Sequence, residues 1–141
     1  MIVVFDIDGV LADATHRQHH LAGKPKDWDA FFAEVDGDPV IEAGRARLLE
    51  ESMRHVVVLM SGRPERCRED TEAWLALHGM GSSSLVLRPD DDHRPAAALK
   101  ADLIQAIALP EDVAVVVDDD EAVVERLGRM GYSAFLFNPV G

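Results

Sequence analysis

Three observations predict an α/β fold built on a five-stranded parallel sheet. Short β-rich runs alternate with stretches of helical period, two of the runs are apolar at every position, and glycine or proline stops three of the helical stretches. Continuous apolarity is what parallel strands need when helices cover both faces of the sheet.

The elements follow in chain order. Residues 2–5 (IVVF) make the first strand, 56–60 (VVVLM) the second, 85–87 the third, 113–117 (VAVVV) the fourth and 133–137 the fifth. Trp28, Phe31, Phe32 and Val35 fall at i, i+3, i+4 and i+7, which predicts a short helix over 27–35 capped by Asp27. A second helix covers 41–53. Pro64 suits the first turn of a third, which sets Cys67, Thr71, Trp74 and Leu75 on one stripe and ends at Gly79. Leu99, Leu103, Ile104 and Ile107 mark a fourth, stopped by Pro110. Val123, Val124, Leu127 and Met130 mark a fifth, with Gly131 past its end. A plain crossover between the first two strands needs one helix, yet two are predicted. The excess, residues 11–38, is expected to form a small helical lid over the end of strand one. Its His16, His19 and His20 have helical spacing but neither a Cys partner nor a fourth ligand, which argues for solvent- or substrate-facing side chains rather than a metal site. With strands one, two and three on one side and four and five on the other, the strand order reverses between strands one and four.

At 141 residues, with 48% hydrophobic and 28% charged, the chain reads as one domain, 1–141. A core of this size buries roughly 70% of the surface that the unfolded chain exposes. The longest apolar runs are five residues, against the ~20 that a membrane-spanning helix needs. The apolar start leads straight into Asp6 and Asp8 with no secretory pattern. A single cysteine, Cys67, has no disulfide partner and is expected to pack in a helix. These features together predict a cytoplasmic protein with no membrane partner. The net charge of -12 argues against an extended nucleic-acid-binding surface. Its distribution is uneven: residues 61–100 carry 6 basic and 7 acidic side chains, whereas 101–141 carry 2 and 8. An anionic substrate is least repelled by the middle of the chain, which holds Arg63, Arg66, Arg68, Arg88, Arg94 and Lys100.

The acids sit at strand ends. Strand one runs into Asp6-Ile7-Asp8-Gly9 and strand four into Asp118-Asp119-Asp120. In an open α/β sheet the ligand crevice lies outside the carboxyl ends of the strands, where their order reverses. Strands one and four as neighbours there bring four or five carboxylates together, an arrangement that a cation must relieve. An all-oxygen, carboxylate-rich donor set selects Mg2+ over zinc or copper. Acids after strands also cap helices, and Asp120 is placed to cap the helix of Val123 and Leu127. Strand two ends in Ser61-Gly62-Arg63, where a hydroxyl, an unhindered backbone and the following helix N-terminus make an anion site. Lys100 begins the fourth helix, a place that favours a lysine only if an anion compensates it.

This order, DxDG, then S-G-R, then Lys, then an acid pair, closely resembles the haloacid dehalogenase (HAD) superfamily of aspartate-nucleophile phosphotransferases, over residues 2–131. The resemblance implies a three-layer, Rossmann-like HAD fold. It implies Asp6 as nucleophile, Asp8 as general acid and base, Ser61 and Lys100 as phosphoryl ligands, and Mg2+ held by Asp6, Asp118, Asp119 and the backbone carbonyl of Asp8. Asp at the second place resembles the phosphatase and phosphomutase branch. The SGR triplet, the compact lid, the run after strand four and Arg129-Met130-Gly131 are most similar to the phosphatase half of polynucleotide kinase-phosphatases. Val10 stands where that group has Thr, and Asp120 where it tends to have Arg. No G-x-x-x-x-G-K-[ST] loop accompanies them, so no kinase half is expected.

The expected activity is therefore a Mg2+-dependent phosphomonoesterase working through an aspartyl phosphate, on nucleotides or 3'-phosphorylated polynucleotide ends. Arg63 is expected to grip the transferring phosphoryl group or a second substrate oxygen, with Gly62 beside it. Asp8 is expected to titrate above an ordinary Asp because of its acidic neighbours. The opening DIDGVLAD is also similar to 5'(3')-deoxyribonucleotidases, which makes these or another small-metabolite phosphatase the alternative. A non-catalytic phosphate-binding protein would be expected to have lost one of the charged set, and all of it is present. A receiver domain would phosphorylate an Asp after a middle strand, whereas strands two and three here end in Ser61 and Arg88.

Overall fold

The computed structural model describes residues 1–139. Five strands, β1 (Ile2–Phe5), β2 (Val56–Pro64), β3 (Ser84–Arg88), β4 (Val113–Asp118) and β5 (Ala134–Leu136), form one parallel sheet in the order β3-β2-β1-β4-β5. The order reverses between β1 and β4, as the sequence predicts.

Successive side chains of a strand point to opposite faces, and β1 shows the consequence. Val3 and Phe5 pack with Leu48 of α2 (Glu42–Ser52) and Trp74 and Leu75 of α3 (Arg68–Leu77). Val4 packs on the other face with Ala101 and Ile104 of α4 (Ala96–Ile107) and Val123 and Leu127 of α5 (Glu121–Arg129). The sheet is thus the middle of three layers. Each fully buried Leu, Ile or Phe in them contributes roughly 1.5–3 kcal/mol over leaving it exposed. Gly44 lets α2 lie against the loop after β1: a Cβ there would stand 1.7 Å from the carbonyl oxygen of Val10.

Several boundaries differ from the sequence reading, and each difference has a local cause. Pro64 ends β2 instead of opening a helix. The strand continues past Met60 through an irregular register, pairing Pro64 with Arg88, and α3 starts only at Arg68 after a 3-10 turn, Glu65–Cys67. Lys100 lies in the second turn of α4, because Pro95 and the alanines after it start that helix earlier than its apolar stripe suggests. The last strand is three residues long, and Phe137 follows it with its N–H donated to Asp118 O.

The segment 11–38 contains a 3-10 turn, Thr15–Leu21, then α1 (Trp28–Ala33) and a second 3-10 turn, Val35–Gly37. Asp27 caps α1 by accepting from the N–H of Ala30 at 3.0 Å, as expected. The segment leaves and returns at one point, since Ala12 bridges to Val40 and the Asp13 N–H donates to Pro39 O. No helix among the described residues is long and apolar enough to cross a membrane.

Candidate active site

Strand register creates the site. Phe5 of β1 faces Val117 of β4 and Leu59 of β2, so Asp6 and Asp118, the next residues of their chains, stand side by side at the carboxyl end of the sheet, with Ser61 two residues past Leu59 on β2. Carboxylate oxygens of Asp6, Asp118 and Asp119 all lie within 4.8 Å of one another. Lys100 reaches them from α4, with Nζ 2.9 Å from Asp6 Oδ1 and donating to Asp118 Oδ2 at 2.6 Å. Asp6, Asp118 and Lys100 are all buried, while Asp119 is open to solvent.

Three carboxylates against one ammonium leave an excess of negative charge, and the titration of the groups reflects it. Burial, then the neighbouring Asp118 and Asp119, push the Asp6 carboxyl well above its ordinary value although Lys100 opposes them. Burial also raises Asp119. Lys100 is held protonated more firmly than a free lysine, because Asp6 and Asp118 outweigh the cost of its burial. A hard divalent cation fits this donor set: three convergent carboxylates, all oxygen, one open to water. Gly9 is required beside it. Its φ is +84°, and a Cβ would come within 1.8 Å of Asp119 Oδ2.

Asp8 stands apart from this cluster. Its carboxylate accepts from Arg63 at 2.7 Å (Nη2 to Oδ1) and 3.2 Å (Nε to Oδ2), and from Arg17 Nη2 at 2.8 Å. Both guanidiniums also hold Asp38. Arg17 donates to it through Nε at 2.8 Å and Nη2 at 2.7 Å, and Arg63 Nη2 at 3.0 Å. His16 Nε2 is 2.6 Å from Asp38 Oδ1, the indole N–H of Trp74 donates to Asp38 O at 2.8 Å, and Arg63 Nη1 donates to Thr71 at 3.0 Å. The result is a buried network of two cations and two carboxylates that ties the segment 11–38 to β1 and β2.

Two expectations are corrected by it. The Arg63 side chain, expected to face substrate, is fully buried, and all three of its nitrogens are hydrogen-bonded inside the protein, to Asp8, Asp38 and Thr71. The Asp8 carboxyl lies below its ordinary value, not above it: burial raises it, but Arg63 and then Arg17 more than reverse that. The expected helix N-terminus behind Ser61 is also absent, since α3 begins seven residues later. Ser61 itself is buried, and its Oγ accepts the N–H of Arg63 at 3.0 Å. Asp120 caps α5 through the N–H of Ala122, as expected, and its carboxylate is not part of the Asp6 cluster among the described residues.

Arg17 and Asp38 were not singled out by sequence. One arginine in a polar, histidine-rich run carries no periodicity that marks it as buried. His16 and His20 are likewise taken by acids, His20 Nε2 lying 2.9 Å from Glu34. A cavity of about 650 Å³ opens beside Gly62, lined by Trp28, Asp29 and Phe32 from the 11–38 segment and by Arg66, Arg88, Asp90 and Arg94 from the rest of the chain, and not by Asp6, Asp118 or Asp119.

Comparison with known proteins accords with this geometry. Residues 1–139 match the family described as the polynucleotide kinase PNKP phosphatase domain. Among solved structures, the chain is 25% identical to a chain of a Pnkp1/Rnl/Hen1 complex with a TM-score of 0.82, covering 97% of this chain and 45% of that one. A second such structure, a Pnkp1/Rnl/Hen1 RNA repair complex, gives 24% identity and a TM-score of 0.83, with 97% and 42% covered. The chain therefore spans a little under half the length of these relatives. An HAD family enzyme from Bacteroides thetaiotaomicron, in complex with magnesium and inorganic phosphate, shares the fold at 12% identity and a TM-score of 0.61, over 99% of this chain and 95% of that one. No curated protein is matched. A parallel sheet reversing at β1 and β4, acids at both strand ends and a family match along the described chain lead to one assignment: this is an HAD-type phosphatase domain, and it belongs to the family of polynucleotide kinase PNKP phosphatase domains.

Proposed function

We propose that the chain hydrolyses phosphate monoesters through an aspartyl phosphate on Asp6, with Mg2+ as cofactor and nucleotide or 3'-phosphorylated polynucleotide ends as substrates. The observation that carries this reading is the convergence of Asp6, Asp118 and Asp119 on one point with Lys100 among them. Asp6, Asp118, Asp119 and the main-chain carbonyl of Asp8 would hold the ion, which supplies charge neutralisation and alignment for a dianionic phosphoryl group. Two relatives come from Pnkp1/Rnl/Hen1 complexes, one of them named an RNA repair complex, which favours nucleic-acid ends over sugar phosphates as the substrate class.

The chain's own groups divide the work. Asp6 attacks phosphorus, and Lys100 with the Ser61 hydroxyl and the Gly62 backbone faces the phosphoryl oxygens. Asp8 protonates the leaving oxygen, then takes a proton from the water that cleaves the acyl phosphate. Arg63 and Arg17 hold Asp8 ionised in the free chain, which suits the second of these steps. For the first, the negative phosphoryl group offsets the guanidiniums and raises the proton affinity of Asp8. Residues 11–38, pinned at Ala12 and Val40, form the lid over this end of the sheet, and the whole chain acts as a single phosphatase unit.

Phosphate release from 3'- and 5'-nucleotides, phosphorylated oligonucleotide ends and sugar phosphates, each with Mg2+ and with EDTA, tests the proposal. Metal-dependent release that Asp6→Asn abolishes is expected. Full activity in EDTA, or in Asp6→Asn, would overturn it, and a sugar phosphate hydrolysed far faster than any nucleotide would remove the substrate assignment alone.

A further inference from the structure

The cavity beside Gly62 has two unlike walls, and the two carboxylates in its lining, Asp29 and Asp90, are both paired with Arg66. One is aromatic: Trp28, 46% exposed, is stacked on Phe32 with ring centroids 5.8 Å apart and planes 21° from parallel, and Arg66 lies over Phe32 at 5.5 Å. The other is Arg88 at the end of β3. Its Nε donates to Gly62 O at 2.9 Å, and its Nη1 to the carbonyls of Asp92 at 3.1 Å and Arg94 at 2.6 Å. These partners are neutral, and Arg88 forms no ion pair among the described residues. Neighbouring cations differ: Arg66 is paired with Asp29, Arg94 with Asp92 and Asp102, and Arg63 with Asp8 and Asp38. Arg88 is thus a half-buried guanidinium held by three main-chain carbonyls and ion-paired to no carboxylate among the described residues, hydrogen-bonded to the residue that follows Ser61 on β2. Burial, with Arg94 adding to it, pushes its pKa down from the ordinary value although Asp92 opposes them. An anion docking on Arg88 would relieve that.

An aromatic face for a base and a cation free of ion pairs among the described residues for a second phosphate, set beside the proposed phosphoryl site, match one ligand shape. It is a nucleotide whose 3' end carries the scissile phosphate and whose 5' side continues into a phosphodiester. We propose that this cavity is a subsite for the terminal nucleotide of a strand, with its base stacked on Trp28 and its 5'-phosphodiester on Arg88, so that a strand end is preferred to a free 3'-mononucleotide. The inference rests on the phosphatase reading above and adds the residues that select the leaving group. A single such seat also fits a chain of net charge -12, since it grips one nucleotide and not a long backbone.

Two readouts separate the subsite from the chemistry. The first is binding by Asp6→Asn protein in Mg2+, followed by tryptophan fluorescence. Of the two tryptophans, Trp74 is buried and Trp28 is exposed, so a base stacking on Trp28 quenches the accessible one. The ligand is the dinucleotide thymidylyl-thymidine 3'-phosphate, compared with thymidine 3'-monophosphate. The dinucleotide is expected to quench and to bind about tenfold more tightly, as one charge-assisted contact allows. Trp28→Ala should lose the quench, and Arg88→Gln should bring the two affinities together. The second readout is phosphate release, in which the ratio of kcat/KM for the dinucleotide to that for glycerol 2-phosphate should fall roughly tenfold in Trp28→Ala, the loss expected of one stacked base. Equal binding of the two nucleotides with no quench overturns the subsite even if both are hydrolysed. Quenching and selective binding with no phosphate release from wild type would leave the subsite standing and overturn the chemistry at Asp6. Trp28 is exposed, so its variant decides the matter even if Arg88→Gln disturbs the loop that Arg88 holds.

Discussion

Arg17→Met isolates the contribution of the buried network to both stability and the state of Asp8. Arg17 is fully buried and donates to Asp38 twice, at 2.8 and 2.7 Å, and to Asp8 once, at 2.8 Å, while its guanidinium lies 4.4 Å over Phe31. Removing one partner of a buried ion pair costs about 3–5 kcal/mol because the other charge is left in the interior. Asp38 keeps Arg63 Nη2 at 3.0 Å and His16 at 2.6 Å, which places the expected loss at the lower end, about 3 kcal/mol. Urea denaturation measures it directly, and the melting temperature should fall by roughly 10 °C in a chain of this size. Arg17→Met with Asp38→Asn should recover part of the loss, since the stranded carboxylate goes with its cation. The sign for Asp8 follows from the same contacts. Arg17 helps hold its folded pKa below the ordinary value, so the variant raises it and moves the acid limb of the pH–rate profile to higher pH. An Arg17→Met protein within about 0.5 kcal/mol of wild type, with an unmoved acid limb, would refute the network as the support of Asp8.

Three further outcomes test the carboxylate cluster. Asp6 and Asp119 titrate in the folded chain above the ordinary 3.8. The native state therefore holds their protons more tightly than the unfolded one, and stability present in acid is lost as pH rises from about 4 through the raised values. In EDTA the chain should melt lower at pH 8 than at pH 5.5, Asp6→Asn should flatten that difference, and a higher melting point at pH 8 would contradict it. Asp8 works the other way: its contribution is fully present above the ordinary value and lost as pH falls through its depressed one. Mg2+ should raise the melting temperature, by about 2.7 kcal/mol of stability at a hundred times its Kd, and Asp119→Asn should remove most of this in a thermal-shift titration. Gly9→Ala should cost about 1–3 kcal/mol for its positive φ and weaken Mg2+ binding by displacing Asp119; unchanged binding by calorimetry would count against the packing of Gly9 on that carboxylate.

The sheet and the place of its acids are legible in the order of the residues. Runs such as VVVLM and VAVVV have the length and continuous apolarity of parallel strands under helices, and DxDG and DDD follow two strands directly. Parallel pairing then makes the convergence of Asp6 and Asp118 a matter of register, which local pattern already implies. Charge partners were not legible in the same way. That Arg63 turns inward to Asp8, that Arg17 joins it from the 11–38 segment, and that Asp38 binds both depend on residues 9 to 55 positions apart in the chain. No periodicity encodes such pairs, because a salt bridge needs only that two side chains meet. The same holds for the titration of Asp8. Counting its acidic neighbours along the chain predicts a raised value, whereas the two guanidiniums that the fold brings within 2.8 Å decide that it is lowered. Charge interactions fall off with distance in space and not in sequence, so the tertiary structure alone could set their sign.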